Sequence, residues 1–427
     1  MAKKYENMIH VFEPEDASFG EWSNSPQAYL HGEKAIPGCN LTAGFQVIKG
    51  PVVLEDEPIC HREEETMFFL GAQLPDVFTS FDAEIHFYMG PSLDKMEKIV
   101  ITEPTAIRVP KDYWHCPLKF VRVDKPILFQ AAQFTGKPGY LKKVQTSDGE
   151  LVEFIEGEAH RKPHEGERKS VPWTVVNEDG VERYTDTGAY DESKAPYWED
   201  CVRIPGYTPI YYSDATTLKC PKPELSRDVA KSVLAFPKEV TDWGNWMPNP
   251  KVYLRGQTYM EDAQYHIGWQ VFTGANDMEE PHFHQGKDEY LFFMGANPLD
   301  PTEFDASVDI MIGDDPDHME SYHIDRPCVI RFPANVWHCP IKFRSLKKPI
   351  LFQAAFQDGV WGTITRSKAP EDAAKKPYFS RKYNYDYMCD NVRRCKFNED
   401  KVCIICGKCF PRFDELMKED NEKAKQG

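Results

Sequence analysis

Hydrophobic positions along this chain fall in short runs, rich in aromatic and β-branched residues, broken every few positions by Gly, Pro, Asn or Asp. Runs of that length and make-up predict strands rather than helices. Ile267-Gly268-Trp269-Gln270, Glu289-Tyr290-Leu291-Phe292-Phe293-Met294 and Cys328-Val329-Ile330-Arg331-Phe332 are three of them. Polar segments between the runs predict reversals. Gln285 to Asp288 contains a glycine, and Pro333-Ala334-Asn335 combines a proline with an asparagine, which tolerates left-handed backbone. The first reversal makes a hairpin of Pro281-His282-Phe283-His284 and the strand that begins at Glu289. The pattern as a whole predicts an all-β chain.

The pattern also repeats. Gly44-Phe45-Gln46-Val47 answers Gly268-Trp269-Gln270-Val271, and Phe68-Phe69-Leu70-Gly71-Ala72 answers Phe292-Phe293-Met294-Gly295-Ala296. Trp114-His115-Cys116-Pro117 matches Trp337-His338-Cys339-Pro340, and Lys125 to Ala132 matches Lys348 to Ala355. Ordered agreement over such a stretch means a duplicated domain, and short aromatic strands in each copy predict an antiparallel barrel or double sheet. The expected organisation is an N-terminal barrel over 1–140, an inter-barrel segment over 141–235, a C-terminal barrel over 236–365 and a Cys-rich tail over 366–427, with short helical and loop extensions. The inter-barrel segment is too long for a passive linker, so part of it should pack on a barrel or a second subunit, which leaves a homodimer open. His160 and His164 lie there in a highly charged run and read as solvated loop residues.

Composition narrows the function. With 427 residues and 41% hydrophobic content, the chain can bury a large core. A net charge of −17 argues against nucleic acid or an anionic membrane as partner. No run approaches the ~18 apolar residues of a membrane span, and the N-terminus carries no apolar stretch after Lys3 and Lys4. The expectation is a cytoplasmic protein acting on a small molecule. Five of the 12 cysteines crowd into the last forty residues, a distribution that suits reduced thiols better than a disulfide framework.

The hairpin at 280–295 is the strongest candidate for chemistry. His282 and His284 are two apart, so in a strand both imidazoles point to one face, and Glu289 enters beside them. Two imidazoles and a carboxylate converging on a barrel interior suit a divalent transition metal. After Pro333 the predicted turn returns the chain inward at Trp337-His338.

These residues resemble the cupins. That family's first motif, His-x-His, three or four residues, Glu, about six residues, Gly, reads here His282-x-His284-x4-Glu289-x5-Gly295, one residue short in the last gap. Its second, Pro-x-Gly-x-x-His, reads Pro333-x-Asn335-x-x-His338, with asparagine for glycine. The resemblance covers both repeats and implies a bicupin, a jelly-roll barrel in each half, with His282, His284, Glu289 and His338 as ligands of Mn, Fe or Zn. The N-terminal copy has Ile59, His61, Glu65 and His115 at the four positions. It lacks one ligand, and the gap from His61 to Glu65 is a residue shorter. Two His and one Glu still match the make-up of facial iron sites, but this barrel reads as the structural partner of a reactive twin.

Residues common to both copies, among them Arg108 and Arg331, Gln130 and Gln353, Lys119 and Lys342, and Trp114 and Trp337, are best explained by fold support. Residues peculiar to the C-terminal copy are the catalytic candidates. Tyr290 could bring a hydroxyl to the metal, although alternation after Glu289 favours the opposite face. Tyr265 and His266 could place a proton-transfer group at the barrel mouth, although loop positions would also explain them. Trp269, Phe283, Phe293 and Trp337 offer an aromatic wall for a small cyclic substrate, or ordinary core.

The tail carries Cys389, Cys395, Cys403, Cys406 and Cys409. Cys-x-x-Cys-Gly presents two thiolates to one metal, so a structural zinc site leads, ahead of an iron–sulfur cluster or unligated thiols. In the barrel, three histidines and a glutamate leave open positions for an oxygen-bearing substrate. Lewis-acid stabilisation of an enolate would then serve a C–C hydrolase or lyase, a decarboxylase or an isomerase. Fe(II) would instead permit a dioxygenase, and a non-catalytic binding bicupin is the third reading.

Overall fold

The structure, a computed structural model, describes residues 3–15, 27–55, 58–143, 151–155, 173–178, 181–186, 202–204, 225–239, 246–284, 286–359, 362–368 and 377–383. Among these the chain is almost entirely antiparallel strand, with one helical turn at Arg227–Ala230 and short 3-10 turns such as Gly32–Lys34 and Gly256–Thr258. It divides into two compact units, Glu15–Ala235 and a second made of Met1–Pro14 with Phe236–Gly427. Each is a double-sheet jelly roll of the cupin type.

The two units share one strand order, as a duplication requires. In the C-terminal unit one sheet runs Ile9–Val11, Cys328–Phe332, Glu289–Gly295, Ile350–Phe356, His266–Phe272, Val252–Arg255. In the N-terminal unit the matching sheet runs Val233–Ala235, Thr105–Val109, Glu65–Gly71, Ile127–Gln133, Thr42–Ile48, Ala28–His31. The facing sheet of the C-terminal unit centres on Trp337–Leu346, which pairs with Ala306–Gly313 on one side and with Asn276–Met278 and His282–Phe283 on the other. Part of the segment between the repeats joins the N-terminal barrel: Leu151–Ile155 and Val202–Ile204 extend the sheet that contains Gly139–Lys143.

The outermost strand of each first sheet comes from an unexpected place. Ile9–Val11 precedes the N-terminal repeat in sequence but pairs with Cys328–Phe332, Ile9 facing Ile330. Val233–Ala235, just before the C-terminal repeat, pairs with Thr105–Val109 of the N-terminal one. The exchanged strand covers what would be an open edge, and it brings Phe12 onto Phe292 with ring centroids 6.2 Å apart and planes 13° apart.

Each core lies between the two sheets. In the C-terminal unit Leu291, Phe293, Ile330, Phe332, Ile341, Phe343 and Phe352 form one buried cluster. Strand alternation selects the odd positions 291 and 293 for this interior, which puts Glu289 on the same face. Phe272, Phe343 and Phe352 stack and cross at centroid distances of 4.3 and 5.3 Å, closing the end of the barrel away from Glu289. Cys39, Cys60, Cys116, Cys328 and Cys339 are buried and none is in a disulfide.

Candidate metal centre

The local chemistry of each turn aims the ligand side chains. Asn335 has φ of 69°, the left-handed conformation that a β-branched residue would resist. Its backbone N–H donates to the His284 carbonyl at 3.0 Å, and its Oδ1 accepts from the Gly286 N–H at 3.1 Å. The turn before His338 is thus tied to the loop that follows His284. Asp288 adds a second tie, accepting from the Ala334 N–H at 3.0 Å and from Arg331 Nε at 2.7 Å. The N-terminal copy keeps the equivalent pair, Arg108 on Glu64 at 2.7 Å. Arg331 and Arg108 therefore serve the fold, as their presence in both repeats implies.

His282, His284, Glu289 and His338 come together so that one ligand atom from each lies within 4.8 Å of all the others. All four are 4% exposed or less. His282 and His338 are cross-strand partners, with ring centroids 4.3 Å apart. His282 Nδ1 lies 2.7 Å from the Glu280 carbonyl and His338 Nδ1 lies 3.0 Å from that of Val336. A carbonyl can only accept, so both Nδ1 atoms carry a proton, and in the neutral form of each ring the Nε2 lone pair faces the centre. Glu289 Oε2 is 2.9 Å from His338 Nε2 and 3.2 Å from His284 Nε2.

Burial pushes the Glu289 carboxyl up, but the histidines around it, His284 first, outweigh burial and hold it well below the usual carboxylate range. Burial likewise lowers His282 well below the ordinary imidazole value, reinforced by His338 and His284. One ligand atom from each of three imidazoles and a carboxylate thus gathers around one buried point. Two donors bound at right angles to one transition metal, each at ~2.1 Å, lie ~3.0 Å apart, which is the spacing found here. The donor set of three imidazoles and one carboxylate fits a divalent Mn, Fe or Zn ion.

Rings pack on the donors. Phe332 stacks on His338 at 4.2 Å, and Phe356 lies 4.4 Å from His284. Phe356, which sequence reasoning missed, faces Glu289 and His266 across the sheet. His266 reaches the centre only through that ring, 6.4 Å away, and donates Nδ1–H to the Asp358 carbonyl at 3.0 Å. Tyr265 and Tyr290 are fully buried. Tyr290 takes the face opposite Glu289 and is absent from the interior cluster that holds Leu291 and Phe293. Phe293 is core, whereas Phe283 and Trp337 contact each other at 4.9 Å on the side away from the histidines. Cys389, Cys395, Cys403, Cys406 and Cys409, together with His160 and His164, lie outside the described residues.

In the N-terminal barrel, His61, Glu65 and His115 also converge and are buried. Glu65 Oε2 is 3.3 Å from Nε2 of both histidines. His61 Nδ1–H donates to the Gly139 carbonyl at 2.7 Å and His115 Nδ1–H to that of Tyr113 at 3.2 Å, so both Nε2 lone pairs again point inward. Burial raises the Glu65 carboxyl, but His61 and His115 prevail and bring it down to about 2. Beside this group opens a cavity of about 510 Å³ lined by His61, Glu65, Gln133, Tyr29 and His31 along with apolar side chains. The site that the sequence reads as degenerate thus keeps three converging donors and a chamber.

No family model matches the chain, and no curated protein matches it in sequence. Solved structures do match in fold. Oxalate decarboxylase from Bacillus subtilis at pH 4.6 aligns with a TM-score of 0.50 and 12% identity, over 85% of this chain and 79% of that one. A deletion mutant of the same enzyme gives 0.49 and 12%, over 85% and 80%. At that identity the likeness concerns the bicupin fold. Among the described residues no helix is long and apolar enough to cross a membrane.

Proposed function

We propose that this chain is a metal-dependent bicupin enzyme that acts on a small keto- or hydroxy-bearing substrate through enolate chemistry, with His282, His284, Glu289 and His338 as the ligands of the C-terminal centre. The observation that carries the reading is the convergence of one ligand atom from each of these four buried residues to within 4.8 Å of one another. A divalent ion bound there acts as a Lewis acid toward substrate oxygens.

The chain's own residues supply the rest. The carbonyls of Glu280 and Val336 fix the tautomers of His282 and His338, so that Nε2 is held ready as a donor without a proton to remove. Phe332 and Phe356 exclude water from the histidine faces and lower the local dielectric, which strengthens every charge interaction inside. The cross-links from Asn335 and Asp288 keep the two ligand-bearing turns in register. Isomerisation, C–C cleavage next to a carbonyl and decarboxylation of a β-keto acid all pass through the enolate charge such a site stabilises. His266, packed beside Phe356 with its Nδ1–H on the Asp358 carbonyl, is the candidate to exchange a proton directly with a bound substrate, ahead of the buried Tyr265 and Tyr290.

The test is exchange of substrate α-protons for deuterium, followed by NMR with a panel of α-hydroxyketones and β-keto acids. Metal-loaded wild type should turn over at least one of them and the His282→Ala chain should not. Oxygen uptake coupled to substrate loss would overturn the enolate reading in favour of a dioxygenase, and tight binding without turnover would overturn it in favour of a binding module.

A further inference from the structure

The two barrels differ at a pair of positions that exchange character. Where the C-terminal copy has the donor His282, the N-terminal copy has Ile59, and where the C-terminal copy has the apolar Phe356, the N-terminal copy has Gln133. The second pair is equivalent in register, since Phe356 faces Glu289 and Gln133 faces Glu65. Each of these side chains also lies against the same ligand. The Phe356 ring is 4.4 Å from His284, whereas the Gln133 amide is 2.8 Å from both ring nitrogens of His61, the counterpart of His284. Gln133 lines the 510 Å³ cavity together with His61 and Glu65. One barrel therefore carries a histidine and a phenylalanine where the other carries an isoleucine and a glutamine.

Building on the assignment of these clusters as metal sites, we propose that Gln133 supplies the fourth donor of a second metal centre in the N-terminal barrel, replacing the histidine that Ile59 removes. A half-turn of the carboxamide exchanges its nitrogen and oxygen at little steric cost, so the atom placed beside His61 can be the acceptor oxygen. The resulting set of two imidazoles, one carboxylate and one neutral amide oxygen is harder than the three-histidine set of the twin. It favours Mn(II) over softer ions relative to the C-terminal centre. An amide oxygen is also the weakest donor of the four, so a chelating oxygen ligand entering the chamber meets a position it can take over.

The experiment uses the full chain with His282→Ala, which removes a C-terminal donor and leaves the N-terminal barrel untouched. Mn(II) is titrated and free metal read by electron paramagnetic resonance, and Co(II) loading is followed by its d–d absorption. The parent should still bind Mn(II). Gln133→Ala and Gln133→Phe should each weaken binding at least ~10-fold, and Gln133→Ala should change the cobalt band shape, as loss of a donor does and loss of packing does not. Adding Ile59→His to Gln133→Phe recreates the C-terminal arrangement and should restore binding. Gln133→Glu, nearly isosteric, should bind at least as tightly as the parent, which separates loss of a donor from failure to fold. Unchanged Mn(II) affinity and an unchanged cobalt spectrum in Gln133→Ala would overturn the proposal, as would a parent that binds no metal. Neither result touches the C-terminal assignment, which falls only if wild type and His282→Ala hold equal metal.

Discussion

A histidine whose Nδ1–H is committed to a backbone carbonyl has one nitrogen left, and the direction of that nitrogen is set by the backbone rather than by the ring. His282, His338, His61 and His115 are all held this way. Replacing His282 by Ala should therefore remove the metal of the C-terminal barrel outright, read as metal per chain by elemental analysis of protein purified without added metal. The same residues set a pH dependence. His282 titrates in the folded state well below its ordinary 6.5, chiefly because of burial. The native state thus binds fewer protons than the unfolded chain, and the stability this represents is complete above about pH 6.5 and lost as pH falls. Glu65, down at about 2 from 4.5, adds a contribution that is present above 4.5 and lost between those values. The thermal midpoint of metal-free protein should be level near neutrality and decline below about pH 6.5. Metal should leave over the same range, since protons compete for the donors.

At the scale of strands and turns, the ligand set depends on two short loops tied to each other. Asn335 holds φ of 69° and bonds Gly286. Asn335→Gly should keep the conformation and lose one hydrogen bond. Asn335→Val should add strain of ~1–3 kcal/mol and loosen His338, measured as a lower unfolding midpoint and weaker metal binding. Arg331→Ala removes the ion pair of the half-buried Asp288, which keeps its Ala334 N–H bond, and should cost ~1–3 kcal/mol in chemical denaturation. Most of this level was legible in the sequence. His282 and His284 share a face because they are two apart, Glu289 follows the turn, and the Pro333 to Asn335 reversal delivers His338. Tyr290 took the face that alternation assigns to it. What the pattern could not give was which side chains close over the ligands. Phe356 and Gln133 stand directly after the shared run that ends at Ala355 and Ala132, and only the pairing of their strand with the one bearing Glu289 or Glu65 makes them site residues.

For the whole molecule, the repeat makes two barrels readable from the sequence, but not which strands complete them. Met8-Ile9-His10-Val11-Phe12 is a short apolar run broken by one histidine, and nothing in it names its partner. Its partner lies at 328–332, and Phe12 covers Phe292 there. Deleting residues 1–14 should therefore destabilise the C-terminal barrel, not the repeat that follows the deletion. Hydrogen exchange should rise first in Cys328–Phe332 and leave Thr105–Val109 protected.

The exchanged strands also dictate an order of assembly during synthesis. The N-terminal barrel has its own sheet edge only once Val233 to Ala235 have emerged from the ribosome. Ile9–Val11, made long before its partner, must wait until Ile330 exists before it can pair. Contacts so distant along the chain close late and slowly. A nascent chain that stalls before residue 330 would carry Ile9–Val11 without its strand partner, which makes this segment a natural target for a chaperone and a point of mispairing between chains.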